Sequence, residues 1–468
     1  MNTSTITGKL ARQIDSHFQQ VKAAPVVVEV APDSIRAWIR ERYRFNEPVP
    51  IGVVFDDVVQ ALWQWTEHAS NPMHFGLFRP AVDRASVIAD ALVALFDPNL
   101  ATWDFAPYAN EVERHILSML ATNMNYDLSK GIANFTSGGE EANHTAVLVA
   151  LENQFPQIGE QGVCSLKGQA TFYVSAEGHH SFDKIACATG LGRSALRFIP
   201  VKSNLKMDLN LLHDAVKQDR KNGYLPFLVV GTAGTTGAGI VDDLDALASF
   251  AAAQGLWFHV DAAWGGAAAL SPKLRVHLQG FAQAQSITFD AHKWLSVPTG
   301  AGMFFCHDRK VVERTFKTET PYVPEQCPDG RVYPFVTTMQ WSRRFIGLKV
   351  FMMIAEHGLP NIVRRIEHQA EMGDYLRDRL KYSGWVLCND TKLPVVCFTH
   401  SRFIDSPNQI VSFTQHMRQR KKAWISKVVL GGRLNALRAC ITNFRTSSAE
   451  IDDLVTELNI VNALESAV

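Results

Sequence analysis

The run Ser286 to Pro298, SITFDAHKWLSVP, most constrains what this chain can fold into. Its β-branched and aromatic start predicts a buried strand, yet the run continues directly into Asp290, His292 and Lys293. Burying an ammonium group is costly unless a partner compensates its charge. Either the strand surfaces here and the polar residues are solvated, or Lys293 is held in a dry pocket because its amine reacts there.

The composition favours an ordinary globular protein and excludes several classes of function. The 468 residues predict two or three domains, with 47% hydrophobic and 20% charged residues. Lys plus Arg equals Asp plus Glu at 46 each, so no global field recruits nucleic acid or an anionic membrane. The seven cysteines lack a C-x-x-C pair, which favours free thiols over a disulfide framework or a zinc site. Without a signal-peptide pattern or a long apolar run, we expect a cytoplasmic protein.

The chain is predicted to have three parts: a helical segment (1–105), a large α/β domain (106–345) and a small α/β domain (346–468). Strand-like apolar runs in the large domain lie at 170–176, 226–234, 256–264, 286–292 and 302–307. Candidate strands of the small domain lie at 385–390, 393–400, 423–430 and 437–444.

Helical patterns lie between several of these strands. Before residue 256, for example, Asp242 or Asp243 can cap a helix start and Gly255 can end that helix. Alternating strands and helices predict a mainly parallel sheet, and ligands of such sheets bind beyond the carboxyl ends of the strands. Unusual polar residues fall at those ends: His179, Thr235, Asp261, His292 and Lys293.

Three further elements each have an ordinary and a functional interpretation. The segment TSGGEEANHTAVLVAL, Thr136 to Leu151, is a glycine turn that feeds a helix, which suits a phosphate or is only a turn. His179 follows a strand and either stacks on a ligand or caps a surface loop. Asp261 follows an apolar strand, so its carboxylate either meets a cationic or hydrogen-bonding partner or caps a nearby loop.

These elements together fit one cofactor, pyridoxal 5'-phosphate. A lysine amine condenses with its aldehyde, and a carboxylate pairs with its pyridinium nitrogen. A helix N-terminus holds the phosphate, and a flat side chain stacks on the ring. The sequence has no metal-ligand cluster, G-x-S-x-G elbow or Walker loop that would compete with this interpretation.

The motifs HVDAAWGG, DAHKW, TSGG-x-x-AN and GHHS also carry a family resemblance. In order and spacing they resemble the group II pyridoxal-phosphate decarboxylases, which include the aromatic amino acid, glutamate and diaminobutyrate decarboxylases. The resemblance runs from about Asn71 to Arg445. It implies a large domain of the aspartate-aminotransferase fold (fold type I), and a homodimer with active sites at the interface.

The resemblance also implies the roles of individual residues. Lys293 would bond to the cofactor, Asp261 would pair with the pyridine nitrogen, and His179 would stack on the ring. Ala263 would pack on the opposite ring face, and His259 would lie behind the ring. Candidates for holding the phosphate are Gly138, Gly139, Thr235, Thr236 and His292.

In the family, a tyrosine on a mobile loop from the partner subunit supplies a proton to the product. The corresponding region, 317–338, offers Tyr322 and Tyr333, and both remain candidates. Its prolines argue against a helix and for a lid.

Other positions bear on cofactor and substrate binding. Glu140 stands where relatives have serine or threonine, so we expect its carboxylate to point away from the phosphate. Arg79 either binds the distal carboxylate of an acidic substrate or forms a surface ion pair, whereas Phe75 and Phe78 favour an aromatic substrate. Arg438 matches an arginine that holds the substrate carboxylate in glutamate-type enzymes, or it forms a structural salt bridge.

The expected activity is decarboxylation of an aromatic or acidic L-amino acid to its amine and CO₂. The alternatives are a decarboxylation-coupled aldehyde synthase or a carbon–carbon lyase on the same scaffold. A catalytically silent binding module is a further alternative, which the combination of Lys293, Asp261 and His179 disfavours.

Overall fold

A computed structural model describes residues 5–318, 331–404 and 407–466. The helices are α1 Ile6–Ala23, α2 Pro32–Arg42, α3 Ile51–Trp65, α4 Arg84–Phe96, α5 Pro107–Asn123, α6 Gly139–Gln154, α7 Ile158–Gln161, α8 Ser181–Ala188, α9 Leu209–Lys221, α10 Leu244–Gln254, α11 Pro272–Arg275, α12 Arg309–Phe316, α13 Gly347–His357, α14 Leu359–Tyr382, α15 Ser401–Ile404, α16 Pro407–Arg420 and α17 Ser448–Ser466. The strands are β1 Ile132–Thr136, β2 Ala170–Ser175, β3 Leu196–Ile199, β4 Leu225–Thr232, β5 Trp257–Asp261, β6 Ser286–Asp290, β7 Gly302–Cys306, β8 Val386–Leu387, β9 Val395–Thr399, β10 Ser426–Leu430 and β11 Leu434–Cys440.

The large sheet has seven strands in the order β1-β7-β6-β5-β4-β2-β3. Strands β3, β2, β4, β5 and β6 pair in parallel, whereas β7 runs antiparallel to both β6 and β1. Every residue of β2, β5, β6 and β7 is buried, as expected when helices cover both faces of a sheet. The predicted α/β class and mainly parallel sheet are confirmed.

Each apolar run predicted for this region contains a strand, but β1 and β3 were not predicted. Both are short edge strands whose sequences include exposed or half-buried residues, so they lack a continuous apolar signal. Helix α10 follows Asp243 and ends at Gly255, whose φ of 63° is left-handed, as predicted. Asp242 does not cap this helix. Its buried carboxylate accepts backbone N–H groups of Met207 and Thr232 at 2.8 and 2.9 Å, and burial raises its pKa to about 6.

The small sheet has four antiparallel strands in the order β10-β11-β9-β8. Each candidate strand predicted after residue 380 overlaps one of them. Helices α14, α16 and α17 pack on this sheet around an apolar core that includes Phe398, Phe413 and Leu437. The exact domain boundaries remain a prediction.

The N-terminal region is helical, as expected, and α2 and α3 are joined by a polar contact. Asp57 on α3 accepts hydrogen bonds from Arg42 at 2.8 and 2.9 Å and from the Tyr43 hydroxyl at 3.0 Å. Among the described residues, no helix combines the length and the apolar character that crossing a membrane requires.

Candidate active site

The ends of β5 and β6 bring Asp261 and Lys293 to the same edge of the large sheet. The strands are parallel neighbours, with Asp261 in register with Thr288, and the Asp290 N–H donates to the Ala263 carbonyl at 2.8 Å. The Lys293 Nζ lies 2.9 Å from Asp290 Oδ2, with the lysine side chain 24% exposed and the aspartate side chain 1% exposed. The polar residues after β6 are therefore not spread on a solvated surface, and the amine is held against a buried carboxylate.

Gly139, the first residue of α6, lies directly on this edge. A Cβ at position 139 would come within 2.8 Å of Asp290 Oδ2 and 3.0 Å of the Ala263 Cβ. Only glycine therefore allows the helix start to approach the sheet this closely. The buried Oδ1 of Asp290 has no hydrogen-bond partner among the described residues, so this small space retains an unused polar atom.

Helix α6 begins at this edge, without a side-chain cap, and the free N–H groups and dipole of a helix start favour an anion. The side chain of Glu140, in the first turn, is directed to Lys184, with Oε1 2.5 Å from Nζ and both side chains substantially exposed. Glu141 accepts the Ser137 N–H at 2.8 Å. Both acidic side chains in the first turn of α6 therefore contact other groups of the protein, Glu140 the Lys184 amine and Glu141 the Ser137 N–H.

Asp261 is buried and its two oxygens accept hydrogen bonds from within the protein. Oδ1 accepts the Ala263 N–H at 3.1 Å, and Oδ2 accepts the Asn143 side-chain amide at 3.0 Å. Within the described part of the chain, Asp261 forms no ion pair. The carboxylate is therefore fixed in direction while its charge remains available to a ligand that carries a cationic N–H.

Asn143 was not assigned a role from the sequence. It lies four residues after Gly139, so both residues share one face of α6, together with the buried Ala142 and Ala146. A polar residue on an otherwise small and apolar buried face is the signal that could have identified it.

Of the other expected phosphate contacts, His292 lies beside the same helix start. A Cβ on Gly138 would lie 3.5 Å from Cε1 of His292, whose Nδ1 accepts the Ala301 N–H at 3.2 Å. Burial lowers the pKa of His292, and this outweighs the opposing effect of Asp290. Thr235 is buried, with Oγ1 accepting the Ile240 N–H at 3.1 Å.

His179 lies on the turn after β2, where it is exposed. Its Nδ1 accepts the Ser181 N–H at 3.2 Å. Glu177 on the same turn accepts the Gly431 N–H at 2.8 Å, which ties the turn to the β10–β11 hairpin of the small sheet. The imidazole is thus held in place at an exposed position.

Arg438 on β11 is only 6% exposed, and all its described hydrogen bonds go to neutral acceptors. It donates to Ser426 Oγ at 3.0 Å, to the Thr236 carbonyl at 2.6 Å and to the Gly76 carbonyl at 2.9 Å. Among the described residues no carboxylate lies within ion-pair distance, so the expected alternative of a structural salt bridge is not found. A buried guanidinium without an anion suits an anionic ligand, because an unpaired buried charge is costly.

Phe78 lies next to Arg438, whereas Phe75 does not face the site. The Phe78 ring stacks on Trp264 with a centroid distance of 4.6 Å and an angle of 17°. The Arg438 guanidinium lies 5.6 Å from the Phe78 ring centroid. The Phe75 side chain is fully buried in the apolar core of the small sheet. Its expected place in the substrate pocket therefore needs correction, because its ring serves packing instead.

A cavity of about 360 Å³ lies beside Phe78 and His292. Arg79 lines it, but Arg79 Nη1 lies 3.7 Å from Glu67 Oε2 in the same wall. Burial alone would raise the pKa of Glu67, but His74, Arg79 and Arg418 outweigh burial and lower it. The cavity wall thus contains a charge pair rather than a free cation. Other lining residues include His17, Trp63, His68, Pro80 and Val297.

The two candidate proton donors are Tyr322 and Tyr333. Tyr322 lies outside the described residues. Tyr333 is buried, and its hydroxyl donates to Asp104 Oδ2 at 2.7 Å.

Comparison with known proteins identifies the family. The family described as "Pyridoxal-dependent decarboxylase conserved domain" matches residues 33–401. The chain is 27% identical over 458 residues to an aromatic-L-amino-acid decarboxylase of Bacillus atrophaeus, covering 95% of this chain and 92% of that protein. It is 28% identical over 388 residues to mouse histidine decarboxylase, covering 79% of this chain and 57% of that protein.

Solved structures share the fold at low sequence identity. The rice (Oryza sativa) tryptophan decarboxylase TDC, solved with pyridoxal phosphate and tryptamine, superposes with a TM-score of 0.90 at 22% identity, covering 98% of this chain and 97% of that chain. Mouse CSAD superposes with a TM-score of 0.89 at 23% identity, covering 98% and 99%. The predicted fold type I architecture is confirmed.

The residues of this edge fit pyridoxal phosphate. The Lys293 amine suits the aldehyde of the cofactor, and the buried Asp261 carboxylate suits its ring nitrogen. The glycine start of α6 suits its phosphate. The match to the family model, residues 33–401, covers most of the chain and includes every strand from β1 to β9. The protein therefore belongs to the pyridoxal-dependent decarboxylases.

Proposed function

We propose that this protein removes the α-carboxylate of an aromatic L-amino acid as CO₂ and releases the amine. The observation that carries the proposal is the shared edge, where Lys293 beside Asp290 and the hydrogen-bonded Asp261 follow neighbouring parallel strands. When bound there, pyridoxal phosphate supplies the electron sink that the breaking carbon–carbon bond requires.

In this proposal, the residues of the chain bind and orient both ligands. Lys293 would hold the cofactor through its aldehyde, and Asp261 would pair with the ring nitrogen. His179, on the turn after β2, and Ala263 would contact the ring faces. Arg438 holds the substrate carboxylate while Phe78 and Trp264 exclude water beside it, which aligns the bond that breaks.

The product also needs a proton at the substrate Cα. Tyr322 and Tyr333 are the proposed donors. Because Tyr333 already donates to Asp104, it would have to leave that contact to serve.

The cavity beside Phe78 supports an aromatic rather than an acidic substrate. Aromatic rings of Trp63 and Phe78 form part of its wall, and the Arg79 cation faces Glu67 at 3.7 Å. A substrate carboxylate in this cavity would meet Glu67 as well as Arg79, and like charges repel. A neutral aromatic side chain meets no such penalty and buries apolar area.

A panel of L-amino acids tests both the reaction and the substrate class. We expect the cofactor-loaded protein to release CO₂ with an equal amount of amine, with the highest kcat/KM for aromatic substrates. The Glu67→Gln variant leaves Arg79 without its carboxylate, so kcat/KM for acidic substrates should rise relative to aromatic ones by about tenfold.

The same panel contains the outcomes that would contradict the proposal. Preference of the unaltered protein for glutamate or aspartate would overturn the aromatic class. An aldehyde product with ammonia, in place of the amine, would indicate the aldehyde synthase alternative. CO₂ release from no amino acid would favour the lyase alternative.

We further propose that the protein is a homodimer, based on apolar side chains that the N-terminal helices expose. Leu62 on α3 is 56% exposed, and Phe45, Ile51 and Val53 on or beside this helix are exposed too. Helix α2 has no buried residue at all. Several exposed apolar side chains on neighbouring elements are typical of a surface that a partner covers.

The mass in solution tests this assembly. We expect twice the chain mass by analytical ultracentrifugation, and a shift toward the monomer in Leu62→Glu. The matched control is Tyr382→Glu, which changes an 88% exposed residue at the end of α14 and should leave the dimer intact. A monomer in the unaltered protein, or an intact dimer in Leu62→Glu, would contradict this interface.

A cytoplasmic location is also proposed. The six cysteines in the described part of the chain are free thiols, which suits a reducing compartment.

A further inference from the structure

Behind Asp261 lies a row of buried polar side chains that links α6, β5 and β6. Distances of 2.9 Å separate Trp257 Nε1 from Ser286 Oγ and Ser286 Oγ from His259 Nδ1. Distances of 3.0 Å separate His259 Nε2 from Asn143 Oδ1 and Asn143 Nδ2 from Asp261 Oδ2. All five residues are at most 4% exposed, so these groups bond to one another rather than to bulk water.

The chemistry of the two ends and the neutral state of His259 together set the direction of the hydrogen bonds in this row. At one end the indole of Trp257 can only donate, so Ser286 Oγ accepts its hydrogen and can still donate its own. At the other end, the Asp261 carboxylate can only accept, so the NH₂ group of Asn143 must face it and the amide oxygen must face His259.

His259 completes the row only as a neutral imidazole with its hydrogen on Nε2. Burial lowers the pKa of His259 to about 4, so the ring is neutral at physiological pH. Since Asn143 Oδ1 can only accept, Nε2 carries the hydrogen and donates to it, and the bare Nδ1 of the neutral ring accepts the hydroxyl hydrogen of Ser286. Thr288 Oγ1, at 3.3 Å from Nε2, can share this hydrogen without changing its direction.

We propose that Asn143 is a positioning residue for the cofactor, and that a directed relay from Trp257 through Ser286 and His259 holds its amide in the one orientation that supports Asp261. If the amide were reversed, its oxygen would face the carboxylate and repel it. The relay therefore keeps Asp261 aimed at the ring nitrogen of pyridoxal phosphate. This inference rests on the proposed role of Asp261.

The expected effect is a loss of the contact between Asp261 and the ring nitrogen rather than a general loss of folding. The test compares the binding of two ligands to the cofactor-free protein by quenching of tryptophan fluorescence. One is pyridoxal phosphate, and the other is its analogue with C–H in place of the ring nitrogen. Both retain the aldehyde and the phosphate, so their Kd ratio isolates the interaction at the ring nitrogen.

We expect the unaltered protein to bind pyridoxal phosphate more tightly than the analogue, and Asn143→Leu to reduce this preference about tenfold. Ser286→Ala, which frees His259 Nδ1, should reduce it as well, whereas Ser286→Thr keeps the hydroxyl and should restore it. The matched control is Asn134→Leu, because Asn134 is a buried asparagine that bonds instead to Thr337. It should keep the preference of the unaltered protein.

Two outcomes would overturn the relay. If Asn143→Leu and Ser286→Ala keep the full preference for pyridoxal phosphate, these residues serve packing only. If the unaltered protein itself binds both ligands equally, the proposed role of Asp261 fails and the relay fails with it. Decarboxylation of the amino acid panel would remain a separate result, so the proposed function is tested independently.

Discussion

Replacing Lys293 with alanine is expected to lower the rate of CO₂ release about 1,000-fold or more. The amine at this position is held 2.9 Å from Asp290 at the edge where the cofactor aldehyde is proposed to lie. Without it, the cofactor cannot be bonded to the protein, and neither substrate exchange nor product release can pass through the lysine. Single-turnover and steady-state release of CO₂ from an aromatic substrate measure the loss.

A control variant separates this effect from a general effect of losing a lysine. Lys273 lies on α11 with a side chain that is 70% exposed and pairs with Glu367. Lys273→Ala should keep the activity of the unaltered protein. Substantial CO₂ release by Lys293→Ala, with the cofactor present, would contradict the role given to Lys293.

Replacing Asp261 with asparagine is expected to lower kcat by about 10- to 100-fold, the value of a hydrogen bond to a charged group. The change keeps the shape of the side chain and removes its charge. The ring nitrogen then loses the anion that favours its protonated form, and the ring accepts electrons less readily. The Asn143 amide would also face a neutral group in place of the carboxylate that it now contacts at 3.0 Å.

The control for this variant is another buried aspartate. Asp219 on α9 accepts the Tyr173 hydroxyl at 2.7 Å and pairs with Arg197. Asp219→Asn is expected to lower the melting temperature without lowering kcat of the folded fraction. An unchanged kcat in Asp261→Asn would show that the carboxylate is not needed at the ring nitrogen.

The sequence predicted the edge of the large sheet because the signals there are local. Apolar runs marked β5 and β6, and a charged residue directly after each run marked where the strand ends. The carboxyl ends of parallel strands meet at one edge, so Asp261 and Lys293 were predicted to lie together without knowledge of the contacts. The strand–helix alternation likewise predicted the parallel sheet.

The remaining features depend on contacts between distant parts of the chain. The Arg438 guanidinium donates to the carbonyl groups of Thr236 and Gly76, which are 202 and 362 positions away in the sequence. Its lack of a carboxylate partner among the described residues therefore depends on the fold. Phe75 was expected at the substrate pocket, but its side chain packs into the core of the small sheet. The strands of that sheet follow far later in the chain, and no local pattern spans such a separation. The neutralisation of Arg79 by Glu67 depends on how the loop after α3 folds back.

Asn143 illustrates an intermediate case. Its position on the buried face of α6 follows from helical spacing, but its partners His259 and Asp261 belong to a strand more than 100 residues away. Periodicity can therefore indicate that a buried polar residue needs a partner, while only the fold identifies that partner.

Reduction of the cofactor-loaded protein with borohydride, followed by peptide mass mapping, tests whether Lys293 is the residue that holds the cofactor. Borohydride reduces the C=N bond between the cofactor and the amine that holds it, so the cofactor stays attached to its peptide. We expect a reduced cofactor on the peptide that contains Lys293, and none on the peptides of the other lysines. A label on a different lysine, or no label on a protein that still binds the cofactor, would contradict the role of Lys293.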